Sequence, residues 1–155
     1  MRRRDREIES TNELLAVIDA CQVMRIGMYD EDGVYILPMN FGYTFEDDKL
    51  TFYIHGALEG KKLDLIKQNH KVGFELDCDH KLIEGKVACQ YGFHYSSIVG
   101  KGIAKVITDP QEKIKGMSIL MKSMTGKDFE FNEKLVSIVS VIKITATEFT
   151  GKRRD

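Results

Sequence analysis

Short strand-like segments joined by turn residues dominate the first half of the chain. Residues 24–29 and 34–41 flank the turn sequence Asp30-Glu-Asp-Gly33, and a second turn at residues 46–49 precedes a strand at 50–54. Because short turns join antiparallel neighbours, the chain starts as a meander. A parallel sheet built from regular strand-helix alternation is therefore disfavoured. Pro38 predicts an edge strand or a bulge, since proline cannot donate a ladder hydrogen bond.

Similar patterns continue to the end of the chain. Further strands are predicted at residues 71–77, 86–93, 98–107 and 136–149, with residues 94–97 as a break. A capping-box sequence at residues 10–13 predicts a first helix, and Lys61 begins a second. Asp109, Pro110 and Glu112 start a third, which runs to about Met124. Strands dominate, so the sequence predicts a mainly β (α+β) fold, an antiparallel barrel with helices packed outside.

Length and composition define the class of protein. The 155 residues, 43% of them hydrophobic, are enough for one domain spanning residues 1–155 without disulfide or metal staples. A formal net charge of -1 argues against nucleic-acid binding. Basic clusters at residues 2–4 and 152–154 are predicted to belong to flexible tails, about 1–7 and 150–155. With no apolar stretch of about 20 residues, we expect no membrane span and a cytoplasmic location.

Two adjacent lysines mark a candidate anion site. Lys61 and Lys62 occupy the first turn of a predicted helix, where backbone N–H groups and the helix dipole are already positive. Two lysine charges in a region that is already positive are unfavourable unless an anion binds between them, and a phosphate would fit. Gly56 and Gly60 would let the backbone approach this phosphate. The spacing of these glycines and the missing Ser or Thr exclude a P-loop.

Other polar residues leave alternatives open. His55 could orient a ligand or exchange a proton near neutral pH, or it could only satisfy the end of its strand with a hydrogen bond. Four further residues, Cys78, His80, Cys89 and His94, are of the types that bind zinc. Their spacing lacks a C-x-x-C knuckle, so no metal site is predicted.

Five segments in order resemble the flavin-binding split barrels related to pyridoxamine 5'-phosphate oxidase, and within them the nitroimidazole-reductase-like, antibiotic-resistance branch. They are residues 38–43 (PMNFGY), 50–65 (LTFYIHGALEGKKLDL), 72–75 (VGFE), 94–102 (HYSSIVGKG) and 109–113 (DPQEK). The chain contains no tryptophan, which the vitamin-forming oxidase carries in its C-terminal segment. This difference argues against oxidation of pyridoxamine phosphate.

The resemblance implies a homodimer of six-stranded split barrels with flavin mononucleotide (FMN) at the interface. The phosphate would lie around Lys61 and Lys62, and Asn40 would approach the flavin ring. Tyr53 and His55 would line the site, with His55 as the candidate catalytic residue. Ser96 and Ser97 would contact the phosphate or the ribityl chain.

The predicted function is that of an FMN-dependent oxidoreductase. It would pass electrons from a nicotinamide donor, NAD(P)H, to small electrophiles such as nitroaromatics or quinones. The alternative is a module that binds flavin or haem for storage or sensing without turnover, because the sequence holds no unmistakable catalytic acid or nucleophile.

Overall fold

Eight strands form one antiparallel sheet in the computed structural model, which describes residues 3–154. The strands are β1 (Glu7–Ile8), β2 (Met24–Asp30), β3 (Gly33–Met39), β4 (Gly42–Glu46), β5 (Lys49–Gly56), β6 (Lys71–Ile83), β7 (Gly92–Ile107) and β8 (Ser140–Arg154). The helices are α1 (Thr11–Ala20), α2 (Lys61–Gln68), α3 (Pro110–Thr125) and α4 (Glu133–Ser137). Short 3-10 turns cover Arg4–Arg6 and Ala88–Gln90.

The sheet curls into a barrel. Its strand order is β3-β2-β6-β7-β8-β5-β4, with β1 added beside β8. In a flat sheet the three steps between β5 and β6 would separate their side chains by about 14 Å. Instead, the ring centroids of Phe52 on β5 and Phe74 on β6 lie 5.1 Å apart. The predicted mainly β split barrel is confirmed, with eight strands rather than six.

The split lies between the two edge strands. β3 and β4 share no ladder within residues 3–154, although only Asn40 and Phe41 connect them. Apolar side chains alternate toward the interior, as at Met24, Ile26 and Met28 on β2. This alternation leaves every second residue on the outer face of the barrel.

Helix α3 packs on the outer face of β4 and β5. The Asp109 carboxylate accepts a hydrogen bond from the Glu112 N–H at 2.7 Å, which confirms the predicted start. Gly126, at φ +70°, ends the helix. The close approach of α3 to β4 requires glycine at position 42, because a Cβ there would lie 2.5 Å from the Leu120 Cα.

Three predictions about element boundaries are wrong. Residues 86–93 are mostly a loop around the Ala88–Gln90 turn rather than a strand. Residues 94–97 do not break a strand, since β7 runs through them and pairs on both sides. β8 begins at Ser140 rather than 136, because Asn132 caps the short helix α4 by accepting from the Leu135 N–H.

The segments predicted to be flexible tails form paired strands where the structure describes them. β8 continues to Arg154 in register with β7, and Glu7 pairs with Lys152. Ladder hydrogen bonds therefore hold residues 150–154 and the β1 segment. Residues 1, 2 and 155 lie outside the described part of the chain. Within residues 3–154, the helices are too short or too polar to cross a bilayer.

Candidate functional site

The turn from β5 into α2 is fixed by a buried serine. Ser140, at the start of β8, directs its Oγ to the carbonyl oxygens of Ala57 at 2.7 Å and Gly56 at 3.2 Å. Gly60 is the N-cap of α2 and has φ +142°, a conformation that favours glycine. The turn that presents the two lysines is therefore rigid.

The two lysines have different surroundings. The Lys61 ammonium forms an ion pair with Asp30 and lies 4.9 Å from the centre of the Tyr35 ring. The Lys62 ammonium lies directly over Gly56, whose missing Cβ provides the space. Lys62 forms no ion pair with any residue in 3–154. Its charge is thus the uncompensated one at this helix N-terminus.

Backbone donors add to this charge. The Gly60 carbonyl accepts the Leu63 N–H at 2.9 Å, as expected for the first turn of a helix. The N–H groups of Lys61 and Lys62 have no hydrogen-bond acceptor within residues 3–154. Together with the Lys62 ammonium, they can hold an anion.

His55 lies close to the same charge. It is half-buried near the end of β5. Burial, and then the Lys62 ammonium, lower the pKa of His55 below its usual value of 6.5. The imidazole is therefore neutral at pH 7, where it can donate one hydrogen bond and accept another.

An apolar groove lies on the outer face of β2, β3, β6 and β7. One part has a volume of about 720 Å³ and a second of about 570 Å³, and both are lined by Gly27, Val34, Gly73 and Lys101. We call the combined groove the outer trough. Gly27 and Gly73 pair across β2 and β6, so its floor carries no side chains there.

The outer trough runs along the β2–β3 hairpin. Val34 and Ile36 on its wall are 70% and 61% exposed, so the wall is apolar and open. Tyr29 lines the second part of the trough, and its neighbour Asp30 binds Lys61. The trough and Lys61 of the lysine turn therefore both contact the β2–β3 hairpin.

Two predicted residues lie apart from the lysine turn. The Asn40 amide donates to the Gln22 carbonyl at 3.0 Å and lines a different cavity, of about 360 Å³, beside the end of α1. Tyr53 is 3% exposed and packs beneath α3, where a Cβ on Gly116 would lie 2.8 Å from its ring.

Ser96 and Ser97 lie toward the opposite end of the barrel. Along β8, His55 pairs with Val141, whereas Ser96 pairs with Arg153. Twelve residues of strand correspond to about 40 Å. Within one chain, the structure does not bring these serines to the lysines.

Two of the candidate zinc ligands contact aspartates in the structure. The His80 Nε2 lies 2.6 Å from Asp77, and the Cys78 thiol contacts Asp79 at 3.4 Å. Within residues 3–154 no group of three or more His, Cys, Asp or Glu side chains is placed to hold a metal ion.

Sequence reasoning missed three contributors to this site. In the sequence, Ser140 is one polar residue within the predicted strand 136–149, and Asp30 is part of a predicted turn. Tyr35 carried no signal that it would lie against a lysine. The alternation of apolar residues on β2 gave a partial clue to the trough, since it assigns Gly27 to the outer face.

Comparisons with known proteins agree with this fold. The family model described as pyridoxamine 5'-phosphate oxidase matches residues 10–153. A proposed 5-nitroimidazole antibiotic resistance protein from Bacteroides thetaiotaomicron VPI-5482 is 30% identical, with a TM-score of 0.81. The match covers 95% of this chain and 86% of that one. No curated protein gives a significant match.

Two more distant structures share the fold. The flavocytochrome Anf3 from Azotobacter vinelandii is 16% identical with a TM-score of 0.81, covering 100% of this chain and 72% of that one. The FAD and heme binding protein from Mycobacterium smegmatis is 15% identical with a TM-score of 0.82, covering 97% and 74%. The family match extends over nearly the whole chain and confirms the resemblance seen in the sequence: this chain belongs to the pyridoxamine 5'-phosphate oxidase family.

Proposed function

We propose that the protein is a cytoplasmic, homodimeric FMN-dependent oxidoreductase that reduces small electrophiles such as nitroaromatics with electrons from NAD(P)H. The observation that carries the proposal is the uncompensated Lys62 ammonium beside free helix N–H groups, in a chain whose outer face also carries an open apolar trough. The likeness to the Bacteroides protein supports the electrophile class.

The residues present fit FMN. A phosphate dianion would bind the Lys62 ammonium and the N–H groups of α2, with Gly56 leaving room for the lysine. The flavin ring would lie against the floor at Gly27 and Gly73, where no Cβ intervenes. When bound, the flavin supplies the two-electron chemistry, and the chain supplies position and electrostatic environment.

A second copy of the chain would complete the site. The trough is open on one side, and its apolar wall includes Val34, Ile36 and Val99. Exposed apolar patches of this kind mark interaction surfaces. A two-fold partner over the trough would exclude water from the flavin and place it at the dimer interface.

His55 is the proposed catalytic residue. Its imidazole is neutral at pH 7 and can donate a hydrogen bond to the phosphate, whereas only its protonated form could pass a proton to a reduced substrate. A dianion beside it would raise the pKa of His55 and so increase its capacity as an acid.

The experiment is direct. The purified protein should show flavin absorption bands, and mass spectrometry of the released ligand should give the mass of FMN. NAD(P)H should bleach the bands, and a nitroaromatic should restore them. A colourless protein that does not bind added FMN would exclude the proposal.

The alternative function is a binding module without turnover, and the larger part of the trough gives it some support. Its charged side chains are mutually paired, Arg25 with Glu75 at 3.0 Å and Lys101 with Glu148 at 2.8 Å. None of these pairs is an obvious proton donor for a substrate. Reoxidation of the reduced protein by nitroaromatics no faster than that of free flavin would favour the module. A Soret band would identify haem.

A further inference from the structure

A polar cavity lies on the outer face of β4, β5 and β8, beside α3. Its volume is about 300 Å³, at the lower end of the range for small-molecule sites. Its lining residues, which we call the threonine pocket, are Thr44, Glu46, Asp47, Lys49, Thr51, Tyr53, Lys115, Lys143 and Thr145. Because β5 runs from Lys49 to Gly56, the pocket lies toward the opposite end of this strand from the lysine turn.

Three threonines lie side by side on the floor of the pocket. Thr51 on β5 pairs with Thr44 on β4 and with Thr145 on β8, so neighbouring threonines are about 5 Å apart across the strands. Thr51 is 6% exposed, and its hydroxyl has no hydrogen-bond partner within residues 3–154. In this range every side-chain nitrogen or oxygen that is closed to solvent does have a partner. The Thr51 hydroxyl therefore opens into the pocket.

Tyr53 contributes a second buried hydroxyl, one row further along β5. It is 3% exposed, and its phenolic oxygen likewise has no partner in the described part of the chain. Buried polar groups are normally hydrogen-bonded. Two such hydroxyls in one cavity are therefore placed to bind a polar ligand.

Two lysines lie at the same end of the pocket as Tyr53. Lys143 pairs with Tyr53 across β5 and β8, and its ammonium donates to Glu112 of α3 at 2.8 Å. This hydrogen bond raises the pKa of Lys143, so its charge is retained. Lys115 on α3 is exposed and forms no ion pair with any residue in 3–154. The two ammonium groups make this end of the pocket positive.

Acidic side chains mark the other end of the pocket. Glu46 ends β4, and Asp47 follows it in the two-residue turn to Lys49, which pairs with Glu46. Glu46 and Asp47 form no ion pair within the described residues. The row of Glu46 and Lys49 lies four residues along β5 from Tyr53, or about 13 Å.

The charges of the pocket are separated but balanced. Its three lysines carry three positive charges, and Glu46 and Asp47 carry two negative charges. Glu112, paired with Lys143, supplies the third negative charge. A phosphate dianion would be repelled by the acidic end, whereas a ligand with one charge of each sign matches both ends.

We propose that the threonine pocket binds a small zwitterion, an amino acid whose carboxylate lies against Lys115 and Lys143 and whose ammonium lies against Glu46. The buried hydroxyls of Thr51 and Tyr53 hydrogen-bond to the ligand. The site is separate from the lysine turn of α2, and ligand binding there does not require flavin.

A series of amino acids of increasing length tests this proposal by isothermal titration calorimetry at low ionic strength. Glycine, β-alanine, γ-aminobutyrate and ε-aminocaproate carry the same two charges at growing separation. Since the charged ends of the pocket are well separated, γ-aminobutyrate and ε-aminocaproate should bind more tightly than glycine. Butyrate and butylamine each lack one charge, so each should bind about tenfold more weakly than γ-aminobutyrate or worse.

Single variants assign the two ends of the ligand. Lys115→Gln should weaken γ-aminobutyrate and butyrate alike, by about tenfold. Glu46→Gln should weaken γ-aminobutyrate by a similar factor without weakening butyrate. Thr51→Val keeps the shape of the side chain, removes the buried hydroxyl and should weaken both ligands. Lys86→Gln and Glu84→Gln make the same charge changes on the β6–β7 loop, outside the pocket, and should alter the Kd less than about twofold.

Circular dichroism checks that each variant is folded. Undetectable binding of every amino acid in the series, or an unchanged Kd in both Lys115→Gln and Glu46→Gln, overturns the proposal. Displacement of γ-aminobutyrate by FMN would show that the two ligands share a site, and it would overturn the proposal as well. A protein that binds no flavin but still binds γ-aminobutyrate through Glu46 would overturn the proposed function alone.

Discussion

Replacing Lys62 by Gln removes the positive charge over Gly56 without breaking an ion pair to any residue in 3–154. If the flavin phosphate binds there, the variant loses one charge-assisted hydrogen bond, about 2 kcal/mol. That loss corresponds to a Kd for FMN about 30-fold higher. The midpoint of urea unfolding of the flavin-free protein should stay unchanged.

Lys61 provides the matched comparison. Its ammonium is exposed and already paired with Asp30, whose carboxylate also neutralises much of the field that a ligand would meet. Exposed ion pairs of this kind contribute little free energy to stability. Lys61→Gln combined with Asp30→Asn removes both charges and leaves the net charge unchanged, so the Kd should rise less than about threefold.

Quenching of FMN fluorescence during titration measures the Kd for FMN of the wild type and of each variant. Raising the salt concentration should weaken FMN binding by the wild type more than FMN binding by Lys62→Gln, because the variant has lost the charge that salt screens. Equal Kd values for the wild type and Lys62→Gln would refute the phosphate assignment. A larger loss in the Lys61/Asp30 double variant would show that the wrong lysine was chosen.

Three further predictions concern charge, packing and capping. Because the pKa of His55 is lowered in the folded protein, unfolded chains take up its proton first as pH falls below 6.5. The free energy of unfolding should therefore drop more between pH 7.5 and 5.5 in the wild type than in His55→Gln, and parallel urea titrations would show whether it does. Gly42→Ala forces α3 away at Leu120 and should destabilise by about 1–3 kcal/mol, measured by urea denaturation; an unchanged midpoint would contradict the packing. Asp109→Ala should cost about 1 kcal/mol, whereas Ser10→Ala should cost almost nothing because Ser10 makes no side-chain capping bond; equal thermal shifts would refute this difference.

The fold was largely predictable because its signals are local. The hairpin turn at residues 30–33 and the Asp109-Pro110 helix start each depend on residues within one turn of each other. The misassigned strand at 86–93 shows where such signals fail. Its apolar residues resemble a strand, but Gln90 folds back to accept the Lys86 N–H at 3.0 Å, and a 3-10 turn forms instead.

The different surroundings of the two lysines were not predictable from their sequence. They are adjacent on one helix turn and have the same charge. Lys61 meets Asp30 only because the β2–β3 hairpin is folded next to α2. Thirty-one residues separate these partners, and no periodicity or capping signal links residues so far apart.

The serines 96 and 97 show a stronger limit of motif reasoning. Their segment and the lysine segment both belong to the set that identifies the family, yet their rows lie twelve residues apart on β8, a path of about 40 Å along the strand. A family motif therefore marks positions that the fold or its ligands require, without assigning them to one site. Within a single chain, Ser96 lies beside Arg153, and it could approach a flavin held at Lys62 only if a partner chain brought its own copy across the interface.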